Sequence, residues 1–292
     1  MTVMLERLIA EMEADRSLDR PERVRQRLEA LDHLDTFDLE AGLPALAAEL
    51  DPTGVHQRAT VLRCNLEKLN AEFYQKIRDE IQRGAGPIEL IGLCATLDAE
   101  GGANGDVAGE GYDVLDEIIA GVLQLEQPEP VLTLEAEMVN YQPTPARHIF
   151  DLLARAALKE GDVLIDLGCG LGHVPLLTAI CTPGRAIGVE LEPAYVESAR
   201  KTARGLNLKN ASFLNMDARD VDFSAGTLFY LYTPFAGGIL RAVLDALRVQ
   251  AMRRSIRICT FGPCTDPIAE ETWLRTEEAR APDRIAILCS RG

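Results

Sequence analysis

Apolar positions along the first 125 residues recur every three or four places. Leu5, Leu8, Ile9 and Met12 share one helical face, and Val24, Leu28 and Leu31 do so again after Pro21. Proline suits a first helical turn, because its missing N–H would have no partner there. Leu62, Leu66, Leu69, Phe73, Ile77 and Ile81 extend the same spacing over the longest stripe, which stops at Arg83-Gly84-Ala85-Gly86-Pro87. Residues 88–97 predict a short apolar helix, and GGANGDVAGEG (101–111) predicts a loop with no side chains able to pack. Val114, Leu115, Ile118, Ile119, Val122 and Leu123 mark a further helix, closed by EQPEP at 126–130. These stripes read as core faces, and residues 1–130 are expected to form a helical domain.

Beyond residue 160 the rhythm changes. Short apolar runs (Val163–Leu167, 186–189, 212–214, Leu228–Tyr232, 256–261 and 285–289) alternate with amphipathic helical segments. Such alternation predicts βαβ units and a largely parallel sheet covered on both faces. Open sheets of this kind bind ligands beyond the carboxyl ends of their strands, where strand order reverses. Chemistry is therefore expected after Leu167, Val189, Leu214 and Tyr232, in a domain spanning 161–292. Residues 131–160 are expected to link the two domains and to cover the site.

Charge adds an asymmetry to this division. Residues 1–150 hold 29 acidic against 13 basic side chains, and residues 151–292 hold 17 of each. The acidity favours a solvated helical surface or a cationic partner, and it disfavours nucleic acid phosphates. Seven scattered cysteines without CxxC spacing fit reduced thiols, with no metal site expected. The first residues mix charges into their apolar positions and no run approaches a membrane span, so a cytoplasmic protein is expected.

The sharpest chemical signal is Asp166-Leu167-Gly168-Cys169-Gly170-Leu171-Gly172. Glycines after an apolar strand allow a tight turn with a ligand lying against the backbone. A dinucleotide fingerprint would place glycine where His173 stands, and a phosphate loop would follow with Lys-Ser/Thr, which is absent. The G-x-G-x-G spacing after a strand ending in Asp resembles the first motif of class I (Rossmann-like) S-adenosylmethionine-dependent methyltransferases. The resemblance implies a doubly wound α/β domain with a mostly parallel seven-stranded sheet, here preceded by the all-α domain. It also implies S-adenosyl-L-methionine as cofactor.

Within that resemblance, Asp166, Gly168, Cys169, Gly170 and Gly172 would hold the amino acid end of the cofactor. Glu190, 24 residues after Asp166, and Leu191 match the turn that receives the ribose, although NAD is held likewise. Asp217 and Ala218 resemble the family turn that meets the adenine amino group. Tyr232, Thr233 and Phe235 stand where the family places residues against the reacting methyl, with threonine replacing the usual carboxamide or carboxylate. Before the sheet, Val139-Asn140-Tyr141-Gln142-Pro143-Thr144-Pro145 is extended by its prolines, and Thr144 is expected to cap the next helix. Tyr141 and Thr144 are further cofactor candidates, on a faint similarity to the Dot1-type branch. The expected activity is methyl transfer to a small molecule or a protein side chain, with a cationic acceptor favoured by charge and a neutral metabolite left open. The alternatives are a non-catalytic cofactor-binding or partner-regulating module and a nicotinamide-dependent oxidoreductase.

Overall fold

A computed structural model describes residues 2–40, 54–84, 90, 92, 111–276 and 284–291. Two compact units result, Met1–Arg78 and Asp79–Gly292. In the first, the anticipated stripes form helices α1 (Thr2–Ala14), α2 (Val24–Glu40) and all but the last turn of α3 (Val55–Gln82). Leu5, Ile9, Leu34, Val55 and Ala59 form one core cluster; Leu18, Ala30 and Leu66 form another. Burying each larger aliphatic side chain contributes about 1.5–3 kcal/mol. Arg27 is fully buried among them, donating to Asn70 Oδ1 at 2.6 Å and to the carbonyls of Leu18, Arg20 and Pro21. Those acceptors offset the desolvation of its guanidinium. The expected helix at 88–97 and loop at 101–111 lie almost wholly outside the described residues.

Helix α4 (Val114–Leu123) belongs to the second unit and packs on α5 (Ala146–Ala156). Asp113 caps α4 through a reciprocal pair with Asp116. Strands β1 (Val163–Leu167), β2 (Arg185–Glu190), β3 (Ala211–Asn215), β4 (Leu228–Tyr232), β5 (Arg257–Phe261), β6 (Leu274–Thr276) and β7 (Ala286–Ser290) form one sheet in the order β3-β2-β1-β4-β5-β7-β6. The first five are parallel, whereas β7 runs antiparallel to both β5 and β6. All five residues of β1 are buried, Asp166 among four aliphatic side chains, as a central strand covered on both faces requires. Strand β6 was not anticipated, since three residues carry no readable period.

Crossover helices α6 (His173–Cys181), α7 (Pro193–Gly205) and α8 (Gly237–Ala251) follow β1, β2 and β4; α9 (Thr265–Ala269) follows β5. Strand order reverses between β1 and β4. The carboxyl ends of these two strands, with those of β2 and β3, are therefore the expected place for a ligand. Among the described residues, no helix is long and apolar enough to cross a membrane.

Candidate active site

A cavity of about 730 Å³ opens at those strand ends. Its floor is the glycine turn. Gly168 and Gly170 have φ of +77° and +52°, in the left-handed region that side chains disfavour. A Cβ on Gly168 would lie 2.3 Å from the Pro234 side chain, and one on Gly170 would lie 2.1 Å from the Tyr141 ring. The turn is thus fitted on both sides by residues that also line the cavity. Gly172 is the N-cap of α6, and its ring neighbour is Phe213.

The glutamate at the end of β2 is tied to this floor. Glu190 Oε2 accepts the Gly170 N–H at 2.8 Å, and Oε1 accepts the Glu192 N–H at 2.9 Å. Each carboxylate oxygen keeps a further lone pair for a ligand hydroxyl. Asp166 lies beneath, 3 % exposed, and burial followed by the nearby Glu190 charge pushes its carboxyl well above the usual range. Cys169 is buried and its thiol is likewise pushed up by burial, which fits packing and not nucleophilic chemistry.

At the end of β3, Asp217 and Ala218 line the cavity, as does Leu191 after β2. The Asp217 carboxylate is held by the Arg219 guanidinium at 2.7 and 3.0 Å and by the Arg219 N–H at 2.8 Å. These contacts hold its pKa low. At the end of β4, Tyr232, Thr233 and Phe235 also line the cavity. Thr233 has φ of +45°, uncommon for a β-branched residue. Its hydroxyl donates to Phe261 O at 3.0 Å and accepts from Cys264 N at 3.1 Å, so it ties the β4 turn to the end of β5. Tyr232 packs on the Phe261 ring at 4.9 Å. Phe235 is 4 % exposed and belongs to the main core cluster.

Residues 131–145 form a strap across these strand ends. Glu192 Oε2 accepts the N–H groups of both Val131 and Leu132 at 2.9 Å, while Oε1 caps α7 through Ala194 N. Glu135 bonds Arg219 Nη2 at 2.9 Å. Glu137 accepts from Ile239 N at 3.0 Å at the start of α8, where backbone N–H groups favour an anion. Met138 bridges Phe235, and Val139 N donates to Pro234 O at 3.1 Å. Tyr141 then covers Gly170, 5.2 Å from the Tyr195 ring, with its hydroxyl 3.2 Å from His173 Nδ1. Burial lowers the His173 pKa to about 4 and raises that of Tyr141, so both are neutral near pH 7.

Thr144 does not cap α5. The N-cap position is Pro145, and the first helical N–H, that of Ala146, donates to Asp116 Oδ1 at 2.7 Å. The Thr144 hydroxyl instead lies 2.9 Å from the buried Tyr230 hydroxyl, since a neighbouring helix already satisfies the cap. Every residue singled out from the sequence thus stands in the cavity wall or in the turn beneath it. Sequence reasoning missed Glu192, Glu135, Glu137 and Arg219, which hold the strap. An acid before Pro193 signals a helix cap, but no local pattern reveals its second contact some 60 residues upstream.

A family described as "Methyltransferase domain" matches residues 158–228. An uncharacterized protein of Methanocaldococcus jannaschii is 41% identical over 61 residues, covering 21% of this chain and 27% of that one. Aklanonic acid methyltransferase of a Streptomyces species is 31% identical over 96 residues, 30% of this chain and 44% of its own. A 23S rRNA (uracil-C5) methyltransferase of Acinetobacter baumannii is 38% identical over 69 residues, 23% of this chain and 15% of its own. The chain therefore spans less than half the length of these relatives. Each match is partial, and the family match covers β1 to the start of β4, with the glycine turn and the ends of β2 and β3. Over that segment the sheet-forming part of the chain is similar to a methyltransferase domain.

Proposed function

We propose that the chain is an S-adenosylmethionine-dependent methyltransferase. The observation that carries this reading is the Gly170–Glu190 hydrogen bond, which joins the glycine turn to a carboxylate within one cavity. The turn offers close backbone approach and no lysine, as an amino acid end without phosphate requires. Glu190 would accept the ribose hydroxyls with its remaining lone pairs. Leu191 and Ala218 would pack beside the adenine, and Asp217 would accept its amino group while remaining paired to Arg219. Asp166, Gly168, Cys169 and Gly172 would shape the pocket for the amino acid end, with Tyr141 and Thr144 closing it from the strap.

When bound, the cofactor would supply a methyl group already activated on a sulfonium. The protein's task is then to align acceptor and methyl and to exclude water. Tyr232 and Phe235 would form the wall beside the acceptor, and Thr233 would hold that wall through its bonds to Phe261 and Cys264. A general base is required only for a protonated nucleophile. The strap supports the exclusion of water, because its contacts run from β2 to α8 across the cavity mouth. The named relatives act on aklanonic acid and on 23S rRNA, so the acceptor class is not inherited from them. Isothermal titration with S-adenosylmethionine, S-adenosylhomocysteine and NAD tests the assignment. Saturable binding of the first two and none of NAD is expected, and the reverse would overturn it.

A further inference from the structure

We infer that the methyl acceptor is an uncharged, predominantly apolar small molecule, admitted through a mouth formed by Leu132, Leu134 and Val139. This rests on the methyl-transfer reading of the cavity and narrows it. The first observation is the sign of the wall. Among the described residues no lysine or arginine lines the cavity, whereas Asp166, Glu190, Glu192 and Asp217 do. Arg219, which follows β3, is committed to Asp217 and Glu135. An acceptor bearing a carboxylate or phosphate would lose its hydration beside Glu190, Glu192 and Asp217 and meet no positive side chain of the wall. The His173 imidazole, held neutral, supplies no charge either.

A cation finds no better reception. Glu190 is bonded to Gly170 N and Glu192 N, and its remaining lone pairs face the ribose position. Glu192 is spent on three backbone N–H groups, and Asp217 on Arg219. Asp166 sits under the turn, and burial favours its protonated form. The cavity therefore has acids, but each already has a structural duty or is neutralised. The acidity of residues 1–150 that favoured a cationic acceptor is not reproduced as free charge in this wall.

The mouth itself is apolar. Leu132, Leu134 and Val139 are 42%, 41% and 50% exposed, although aliphatic side chains usually turn inward, and all three line the cavity. The backbone is held on either side of them, Leu132 N on Glu192 and Val139 N on Pro234 O, and the side chain of the intervening Glu135 pairs with Arg219. An exposed apolar cluster held rigidly at the rim of a cavity is what a hydrophobic ligand would bury. Phe235, Ile239 and Pro263 extend the same character inward.

The test has two stages. The full chain is first titrated with S-adenosylhomocysteine; absence of binding removes the methyl-transfer reading and this inference with it. The saturated protein is then titrated with three probes of matched shape, 2-naphthol, 2-naphthoate and 2-naphthylmethylammonium. The neutral probe is expected to bind at least about tenfold more tightly than either ion, or about 1.4 kcal/mol. If either ion equals it, or if none of the three binds, the inference falls while the cofactor assignment stands. Val139→Lys adds a cation at the mouth without touching the backbone bond to Pro234. It should raise the relative affinity of 2-naphthoate about tenfold, and an unchanged order would show that the acceptor does not pass there.

Discussion

The Gly170 N–H points at Glu190 Oε2 across 2.8 Å, so the turn after β1 and the acid after β2 are one unit before any ligand arrives. Glu190→Ala removes the acceptor of two backbone N–H groups and the proposed ribose contact together. Cofactor affinity should fall by at least about 1.5 kcal/mol, more than tenfold. Calorimetry with S-adenosylhomocysteine reads this directly, and an unchanged dissociation constant would remove Glu190 from the site.

The contact between Gly170 and Tyr141 makes a second expectation specific. Gly170→Ala places a methyl where the Tyr141 ring now lies and strains a backbone at φ +52°. Cofactor affinity should drop at least about tenfold, and the strap should shift. In the double variant with Tyr141→Ala the steric part disappears, so the two losses should add to less than their sum. Strict additivity would mean that the ring does not cover the turn.

Glu192 bears on the strap alone. Glu192→Ala leaves the N–H groups of Val131 and Leu132 without their acceptor and uncaps α7, at a cost of about 1–3 kcal/mol. Limited proteolysis between residues 126 and 140 should quicken several-fold, and the cofactor should dissociate faster. A protease pattern identical to the wild type would contradict the anchoring role.

Stability should also depend on His173. Its folded pKa, about 4, lies below the ordinary value near 6.5, because burial disfavours the charged imidazolium. The unfolded chain therefore takes up the proton first as pH falls. Stability is retained above about pH 6.5, is lost between 6.5 and 4, and is flat for this group below that. Denaturant unfolding of the wild type and of His173→Gln over this window should differ in slope, the wild type losing about 3 kcal/mol more. Parallel curves would show that the imidazole is solvated.

Much of this was legible in the chain because the signals are local. The run at 163–167 is apolar but for Asp166, as suits a strand buried on both faces, and the glycines follow it directly. Asp166, Glu190 and Asp217 each lie within two residues of a strand end, so a reading of strand ends finds them without a structure. Thr144 shows the limit. Its position before a helix is that of a cap, but Asp116, 30 residues earlier, took that place and left the hydroxyl for Tyr230. The strap shows it again. Glu135, Glu137 and Glu192 resemble solvated surface acids in sequence, and their roles depend on partners between 60 and 102 residues away. Thr233 departs in sequence from the pattern of the family it resembles, yet only the structure shows its hydroxyl spanning to Phe261 and Cys264.

The placement of β7 between β5 and β6 has a consequence for how this edge is built. Strand β6 comes earlier in the chain, yet it touches the sheet only through β7. Opening β7 from β5 therefore also parts β6 from the rest of the sheet, whichever of the two pairings forms first. Amide exchange at 274–276 should accordingly never be slower than at 286–290, since any opening that frees β7 strands its neighbour as well.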